Sequence, residues 1–140
     1  MVGLRIAIIL GVIVVVVVIF ARRMGRERSG FESVITKFMA AGASRNMGAA
    51  YDCWSPHSAS EEKIAEFIES SYDVFAGYEG LTISDQGTRS GVGGITESDV
   101  SGAIIYTDGK RLPLGARLVK EKDVWKIIGI RIDSTALFLT

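Results

Sequence analysis

The chain has 140 residues, which is room for one domain, and its 16 basic and 16 acidic side chains give a formal net charge of zero. Residues 31–140 carry 11 basic and 15 acidic side chains, and this acidic balance argues against nucleic acid as a partner, because binding to phosphates requires clustered cations. Cys53 is the one cysteine, so an internal disulfide bond is excluded and the core must stabilise the fold.

The first predicted element is an uncharged apolar run over residues 6–21. As a helix it would extend roughly 24 Å, and Val2 to Leu4 can lengthen it because Arg5 can reach back to the lipid headgroups. A cleaved signal peptide is the alternative, but no small-residue cleavage site follows Ala21. We therefore predict a single-pass transmembrane anchor over residues 1–22, which places the protein in the cell membrane.

Basic residues flank the C-terminal end of the apolar run, namely Arg22, Arg23, Arg26 and Arg28. The positive-inside rule then predicts a cytoplasmic domain, with the periplasmic or extracellular side as the alternative. Such a cluster also attracts a lipid bilayer with anionic headgroups. We predict a basic juxtamembrane linker over residues 23–30.

Three helices are predicted next. The run SGFESVITKFMAAGASR has apolar residues at helical spacing. Asn46 is the expected cap of a short second helix, which continues through Trp54 and is ended by Pro56. Ser60 is the expected N-cap of a third helix, and Gly77 supplies its stop.

After Gly80 the apolar period changes to two, which indicates strands. LTISDQ is the first strand, and GTRSGVGG is predicted to be a flexible hairpin loop. A two-residue turn at Asp108 and Gly109 would pair Ile105 with Leu112. Pro113 lacks a ladder donor, which indicates a bulge or a locally unpaired edge.

The stretch GARLVKEKDVWKIIGIRID predicts a closing hairpin that turns at Lys122 and Asp123. This register pairs Leu118 with Ile127 and Lys120 with Trp125, so that Leu118, Trp125 and Ile127 face inward. The opposite face then carries Arg117, Val119, Lys126 and Ile128.

Helices that precede an antiparallel sheet predict an α+β domain of three helices on a curved four-stranded sheet over residues 31–133. FMAAGASRNMGAAYDCWSP, an acidic-start helix and ARLVKEKDVWKIIGIRI together resemble the nuclear-transport-factor-2-like (cystatin-like, SnoaL-type) superfamily. The resemblance implies a cone-shaped fold in which a bent sheet wraps a helix and encloses a pocket. This superfamily includes enzymes, ligand binders and scaffolds, so the resemblance does not predict an activity.

The candidate chemical groups are few. Enzymes that this chain resembles hold an Asp or His base inside the cone, whereas His57 follows Pro56 in an interhelical loop. Cys53 and His57 are too few ligands for a metal site, and nothing local would activate Cys53 as a nucleophile. Asp52 and Asp73 are expected to be solvated neighbours of tyrosines. We predict no enzymatic activity, no metal and no cofactor.

Five aromatic side chains are expected to point inward, namely Tyr51, Trp54, Tyr72, Phe75 and Trp125. They either line a ligand pocket or fill the core. Filling is favoured because a domain of about 110 residues needs that bulk for its core.

The four outward residues of the closing hairpin make a mixed apolar and cationic patch that suits an interface. An apolar tail over residues 134–140 adds Leu137 and Phe138. We predict an accessory or scaffold subunit that docks onto a larger membrane protein complex through the sheet face and tail. This prediction follows from a resemblance to two groups of membrane-anchored proteins. They are the inner-membrane scaffold of type IV secretion systems and the membrane proteins of mammalian-cell-entry transporters. The alternative is a membrane-tethered binder of a small apolar ligand in the cone, and a homodimer is left open.

Overall fold

The computed structural model describes residues 26–139, which begin with three helices. These are α1 (Arg26–Ala43), α2 (Met47–Asp52) and α3 (Glu61–Ser70), and a short 3₁₀ turn follows at Tyr72–Val74. Helix α1 begins at Arg26, within the segment predicted as a linker. None of the helices in residues 26–139 is long and apolar enough to cross a membrane. The predicted anchor, with Arg22 and Arg23, lies outside the described residues.

A single antiparallel sheet follows the helices, with its strands in chain order. The strands are β1 (Tyr78–Ser90), β2 (Thr96–Tyr106), β3 (Arg111–Glu121), β4 (Val124–Ile132) and β5 (Thr135–Leu137). The α+β class with three helices is confirmed, but the sheet has five strands rather than the predicted four. The extra strand comes from the tail, whose Leu137 is 7% exposed and packs into the core. Burial of that side chain stabilises the turn back onto β4.

The predicted helix caps are present. Asn46 accepts a hydrogen bond from the backbone N–H of Ala49 at 3.3 Å, and Ser60 accepts one from Lys63 at 3.2 Å. The predicted extent of α2 is wrong, because Trp54 lies beyond the helix and forms a parallel bridge with Ile127. Strand β5 pairs with only part of β4, and the part of the β4 edge that it leaves free pairs with the segment around Trp54.

Strand β1 is longer than predicted, since it runs through the first half of the Gly-rich stretch to Ser90, which pairs with Thr96. Arg89 forms ion pairs across the hairpin with Glu97 at 2.9 Å and with Asp99 at 2.6 Å. These cross-strand ion pairs stabilise the pairing of the two strands here, whereas the glycine content alone had predicted a flexible loop.

The β2–β3 register differs by one residue from the prediction, because Ile105 pairs with Arg111 instead of Leu112. Three residues, 107–109, form the loop, and Gly109 adopts a φ of 85°. A three-residue loop whose last residue is left-handed shifts the pairing in this way. Pro113 causes no bulge in this ladder, and its carbonyl accepts a hydrogen bond from Asp133 just past β4.

The predicted β3–β4 hairpin is confirmed. Leu118 pairs with Ile127 and Lys120 with Trp125, and Leu118, Trp125 and Ile127 are buried. Lys122 and Asp123 have φ values of 50° and 65°, as a type I′ turn requires.

A bulge follows in the same ladder, because Arg117 pairs with Gly129 while Leu118 pairs with Ile127. Ile128 is thereby the extra residue of β4. The tail approaches the sheet closely here, since a Cβ on Gly129 would lie 2.8 Å from the carbonyl oxygen of Phe138. The tail therefore covers part of the sheet surface that was expected to be free.

Candidate functional site

Aromatic side chains pack together in the core between the helices and the sheet. Trp54 and Phe75 are fully buried, and Phe38 contacts both rings edge-on with centroid distances of 5.6 and 5.4 Å. Trp125 is also buried, whereas Tyr51 and Tyr72 are half-buried at the margin of the core, where they pack against it. Of the two interpretations of these aromatic residues, the arrangement fits a filled core.

The core of the described residues holds little that ionises. Its buried polar residues are Ser55 and Ser98, and His57, Asp52 and Asp73 are all exposed. Tyr106 is buried, and its hydroxyl donates a hydrogen bond to the carbonyl oxygen of Val74 at 2.5 Å. Burial raises the pKa of Tyr106 to about 12. This phenol therefore stays protonated at neutral pH and serves the packing.

An open cavity of about 840 Å³ lies between α1, α2 and the β3–β4 hairpin. We call it the lysine groove. Helix α1 contributes one face of side chains to it, because residues three and four positions apart share a side of a helix. The α1 residues that line it include Ser33, Val34, Lys37, Ala40 and Ala41, and Ser44 lines it just past the end of the helix.

The groove combines apolar and charged side chains. Val34, Cys53 and Trp125 contribute apolar surface, while Lys37 joins Lys120 and Lys126 from the hairpin. The acidic side chains of the lining are those of Asp52 and Asp123. Three lysines therefore face two carboxylates, although the domain as a whole is acidic.

The lysines from the hairpin are held in place. The ammonium group of Lys126 donates a hydrogen bond to the carbonyl oxygen of Asp52 at the end of α2. The ammonium group of Lys120 lies 5.7 Å from the centre of the Trp125 ring. Lys37 on α1 is exposed. The groove thus has two positioned cations and one that is open to solvent.

Cys53 is the nucleophile candidate in this groove, but its environment does not activate it. Its thiol is buried and donates a hydrogen bond to the carbonyl oxygen of Ala49 at 3.5 Å. Burial raises the pKa of the Cys53 thiol, although Lys126 and Lys37 oppose the shift. A thiol with a raised pKa is a poor nucleophile at neutral pH.

No protein family matches the chain by sequence, and no curated protein does so either. Among solved structures, Aln2 from a Streptomyces species is similar over 77% of this chain and 90% of its own, with a TM-score of 0.51 and 10% identity. The domain has the nuclear-transport-factor-2-like fold. A "putative aromatic ring hydroxylase" from Novosphingobium aromaticivorans also matches, over 77% of this chain and 88% of its own, with a TM-score of 0.43 and 15% identity.

The four hairpin residues that were predicted to form an interface patch are less exposed than the predicted strand register implied. Val119 and Ile128 are half-buried. Arg117 donates a hydrogen bond from Nε to Asp99 at 2.8 Å, within the ion-pair cluster that also contains Arg89. The four outward residues of the hairpin therefore do not form an open apolar patch, since Lys126 also lines the groove.

The other residues that were predicted to form contacts lie in different environments. Leu137 belongs to the core, while Phe138 is 53% exposed and its ring lies 6.4 Å from that of Trp54. Arg26 and Arg28 lie in the first turns of α1.

The sequence contained a partial signal for the lysine groove. Ser33 and Lys37 lie on one side of α1, and Ser44 follows just past its end, which indicates a polar stripe. That stripe alone predicts a solvated helix face. The position of this stripe beside Lys120 and Lys126 depends on how the β3–β4 hairpin packs on α1, and no local sequence pattern encodes that packing.

Proposed function

We propose that this protein is a membrane-anchored docking subunit without catalytic activity, which binds an extended acidic segment of a partner membrane protein in the lysine groove. The observation that carries the proposal is the position of the open space. It lies between α1, α2 and the β3–β4 hairpin, in a groove where Lys37, Lys120 and Lys126 surround an apolar floor. An interface typically combines such a floor with a polar rim.

The length of the groove suits a peptide. Its lining extends along α1 from Gly30 to Ala41, which at 1.5 Å per residue is about 17 Å. An extended chain advances about 3.3 Å per residue, so roughly five residues would fill this length. Small side chains at Ala40 and Ala49 leave room for a backbone to approach.

The charge of the groove favours an acidic occupant. The domain is acidic overall, so a cluster of cations on its surface differs from its surroundings. Complementary charge increases the rate of association and selects among partners. Lys37 is exposed in the free protein and would gain a carboxylate partner on binding.

The chemistry of the groove supports binding over catalysis. Its thiol, Cys53, is buried with a raised pKa, and His57 does not line the cavity. The apolar run over residues 6–21 ends shortly before α1 begins at Arg26. The anchor that this run predicts would keep the domain beside proteins of the same membrane, which favours a membrane protein as the partner.

Site-directed photocrosslinking in native membranes tests the proposal. A photoreactive amino acid at Ser33, which is exposed in the groove, is expected to crosslink the full chain to an acidic segment of one membrane protein. Lys37→Glu should abolish this crosslink, because it replaces an attractive charge by a repulsive one. Lys63→Glu is the matched control, since Lys63 is exposed on α3 outside the groove.

Two results would contradict the docking site. One is a crosslink that persists in the Lys37→Glu variant. The other is a crosslink that forms from Val119 on the sheet face but not from Ser33, which would favour the predicted sheet-face interface. That interface stays a prediction.

A second candidate function is the binding of a small anionic molecule with an apolar body. The volume of about 840 Å³ falls within the usual range of small-molecule sites. Because aromatic side chains pack in the core between the helices and the sheet, we expect such a ligand to bind in the groove. Native mass spectrometry of the full chain would detect a bound non-protein mass, which Lys37→Glu should remove and Lys63→Glu should retain.

A further inference from the structure

Two apolar side chains are exposed at the tips of neighbouring hairpins. Ile95, in the β1–β2 turn, is 51% exposed, and Val124, at the start of β4, is 52% exposed. Exposed large apolar residues at loop tips carry a cost in water, and contiguous ones often mark a contact surface. Whether these two residues belong to one contact surface therefore depends on their positions relative to one another.

The strand register brings both residues to the same end of the sheet. Thr96 pairs with Lys120, and Lys120 pairs with Trp125. Ile95 and Val124 each lie one residue beyond this row, toward the tips. One strand, β3, separates them, so they lie about 10 Å apart at the ordinary strand spacing.

The start of α1 lies at this same end. The rings of Phe31 and Trp125 are in contact, with centroids 4.8 Å apart, and Gly30 also approaches the Trp125 ring. The five residues from Arg26 to Gly30 rise only about 6 Å along α1. The two hairpin tips are thus held close to the point where the described chain begins.

The chain that precedes α1 limits how far these tips can be from a membrane. Residue 21, the end of the apolar run, is five positions before Arg26, and five residues extend at most about 18 Å. With the rise along α1 added, Gly30 lies within about 24 Å of the end of the predicted span, and Trp125 joins Gly30 to the hairpin tips. A domain on so short a connection must turn one of its ends toward the bilayer.

One cation at the tips can reach the phosphates of a lipid surface. Lys122 is exposed in the turn that precedes Val124, together with Asp123, so this turn carries no net charge. Lysine beside an apolar residue is a typical combination for contact with the headgroup region, where the ammonium group pairs with phosphates. The opposite end of the sheet, at the β2–β3 turn, exposes Asp108 and Lys110 without a large apolar side chain.

We propose that the tips of the β1–β2 and β3–β4 hairpins rest on the lipid surface, with Ile95 and Val124 in the headgroup region and Lys122 among the phosphates. This inference rests on the membrane anchor of the proposed function. The anchor and the two tips together fix the orientation of the domain. They set the Gly30 end of the lysine groove at the membrane, so that a partner segment enters the groove directly as it leaves the bilayer.

Fluorescence quenching in nanodiscs tests this orientation. The full chain is reconstituted in nanodiscs of phosphatidylcholine and phosphatidylserine, with lipids that carry a quenching nitroxide near the headgroup. An environment-sensitive dye is attached at Lys122→Cys in a Cys53→Ala background. Its fluorescence is expected to be lost, whereas a dye at Lys110→Cys, about 33 Å away along β3, should keep its fluorescence.

A second variant separates membrane contact from mere proximity. Replacing both apolar tips, as Ile95→Glu with Val124→Glu, should restore the fluorescence of the dye at position 122, because two carboxylates cannot enter an anionic headgroup layer. Far-ultraviolet circular dichroism is the check that the variant is folded. Quenching that is unchanged in this variant would overturn the inference.

The outcomes also separate this inference from the function on which it rests. If the full chain does not migrate with the nanodiscs in gel filtration, the membrane anchor itself is refuted. If it does migrate with them but the dye at position 122 is not quenched, the anchor stands and the tip contact is refuted. Loss of fluorescence that appears only at high protein density would point to a second copy of the chain and would likewise overturn the lipid contact.

Discussion

The indole of Trp125 contacts the ring of Phe31 edge-on, with their centroids 4.8 Å apart. This contact joins the β3–β4 hairpin to the first turns of α1. A Cβ at Gly30 would come within 3.0 Å of the same indole, so the two elements approach closely. The contact therefore sets the width of the lysine groove and the position of the hairpin tip at one end of the domain.

Replacing Trp125 by Ala should strongly destabilise the domain, because it removes a buried ring and leaves a cavity against Phe31. We expect a loss of ~3–5 kcal/mol in the free energy of unfolding. Urea unfolding of the full chain in mild detergent, followed by far-ultraviolet circular dichroism, measures it. The matched control is Val124→Ala, an exposed neighbour whose change should stay within ~0.5 kcal/mol. Equal losses in the two variants would refute the inward position of Trp125.

The β1–β2 ladder depends on a glycine at one position. A Cβ on Gly102 would collide with the carbonyl oxygen of Thr82 in the neighbouring strand. Gly102→Ala should therefore cost about 1–3 kcal/mol through overpacking. Gly87→Ala, in the same ladder, meets nothing within 4 Å and should be neutral or stabilising by up to ~1 kcal/mol. Melting temperatures that fall alike for both variants would show that β1 and β2 do not approach as described.

The ion-pair cluster on the sheet surface predicts a dependence on pH. The hydrogen bond from Arg117, helped by that from Arg89, holds the pKa of Asp99 below its ordinary value of 3.8. A carboxyl whose pKa is lowered by folding stabilises the folded state above 3.8, and this contribution is lost as the pH falls through the lower, folded-state pKa.

The variant Asp99→Asn tests that dependence. At neutral pH it should be less stable than the parent by under ~1 kcal/mol, since solvent screens a half-exposed pair. The difference should shrink as the pH is lowered below 3.8, because the parent loses the same interaction. A difference that is unchanged down to acid pH would show that Asp99 is not paired in solution.

The arginine cluster predicts a cytoplasmic domain, and cysteine labelling in intact cells measures this. Lys110→Cys places a thiol in the exposed β2–β3 turn, and Cys53 is replaced by Ala in the same background. A reagent that does not cross membranes should label position 110 only after the cells are permeabilised. Labelling of intact cells would put the domain on the periplasmic or extracellular side.

Much of the last hairpin was predictable because its determinants are local. Lys122 and Asp123 favour a tight turn, and alternation then assigns Leu118, Trp125 and Ile127 to one face. The Asp108–Gly109 turn was predicted in the right place but with the wrong length. A two-residue and a three-residue loop use similar residues, so the register slipped by one.

The sequence by itself determined the elements whose signals lie within a few residues: the caps at Asn46 and Ser60, and the closing hairpin with Trp125 on its buried face. Only the tertiary structure decided what depends on distant segments. The tail became a strand because the free edge of β4 could pair with it. The lysine groove exists because Trp125 packs on α1, which brings Lys120 and Lys126 beside Lys37. Such a site depends on the relative positions of separate elements, and packing of the whole core sets these positions.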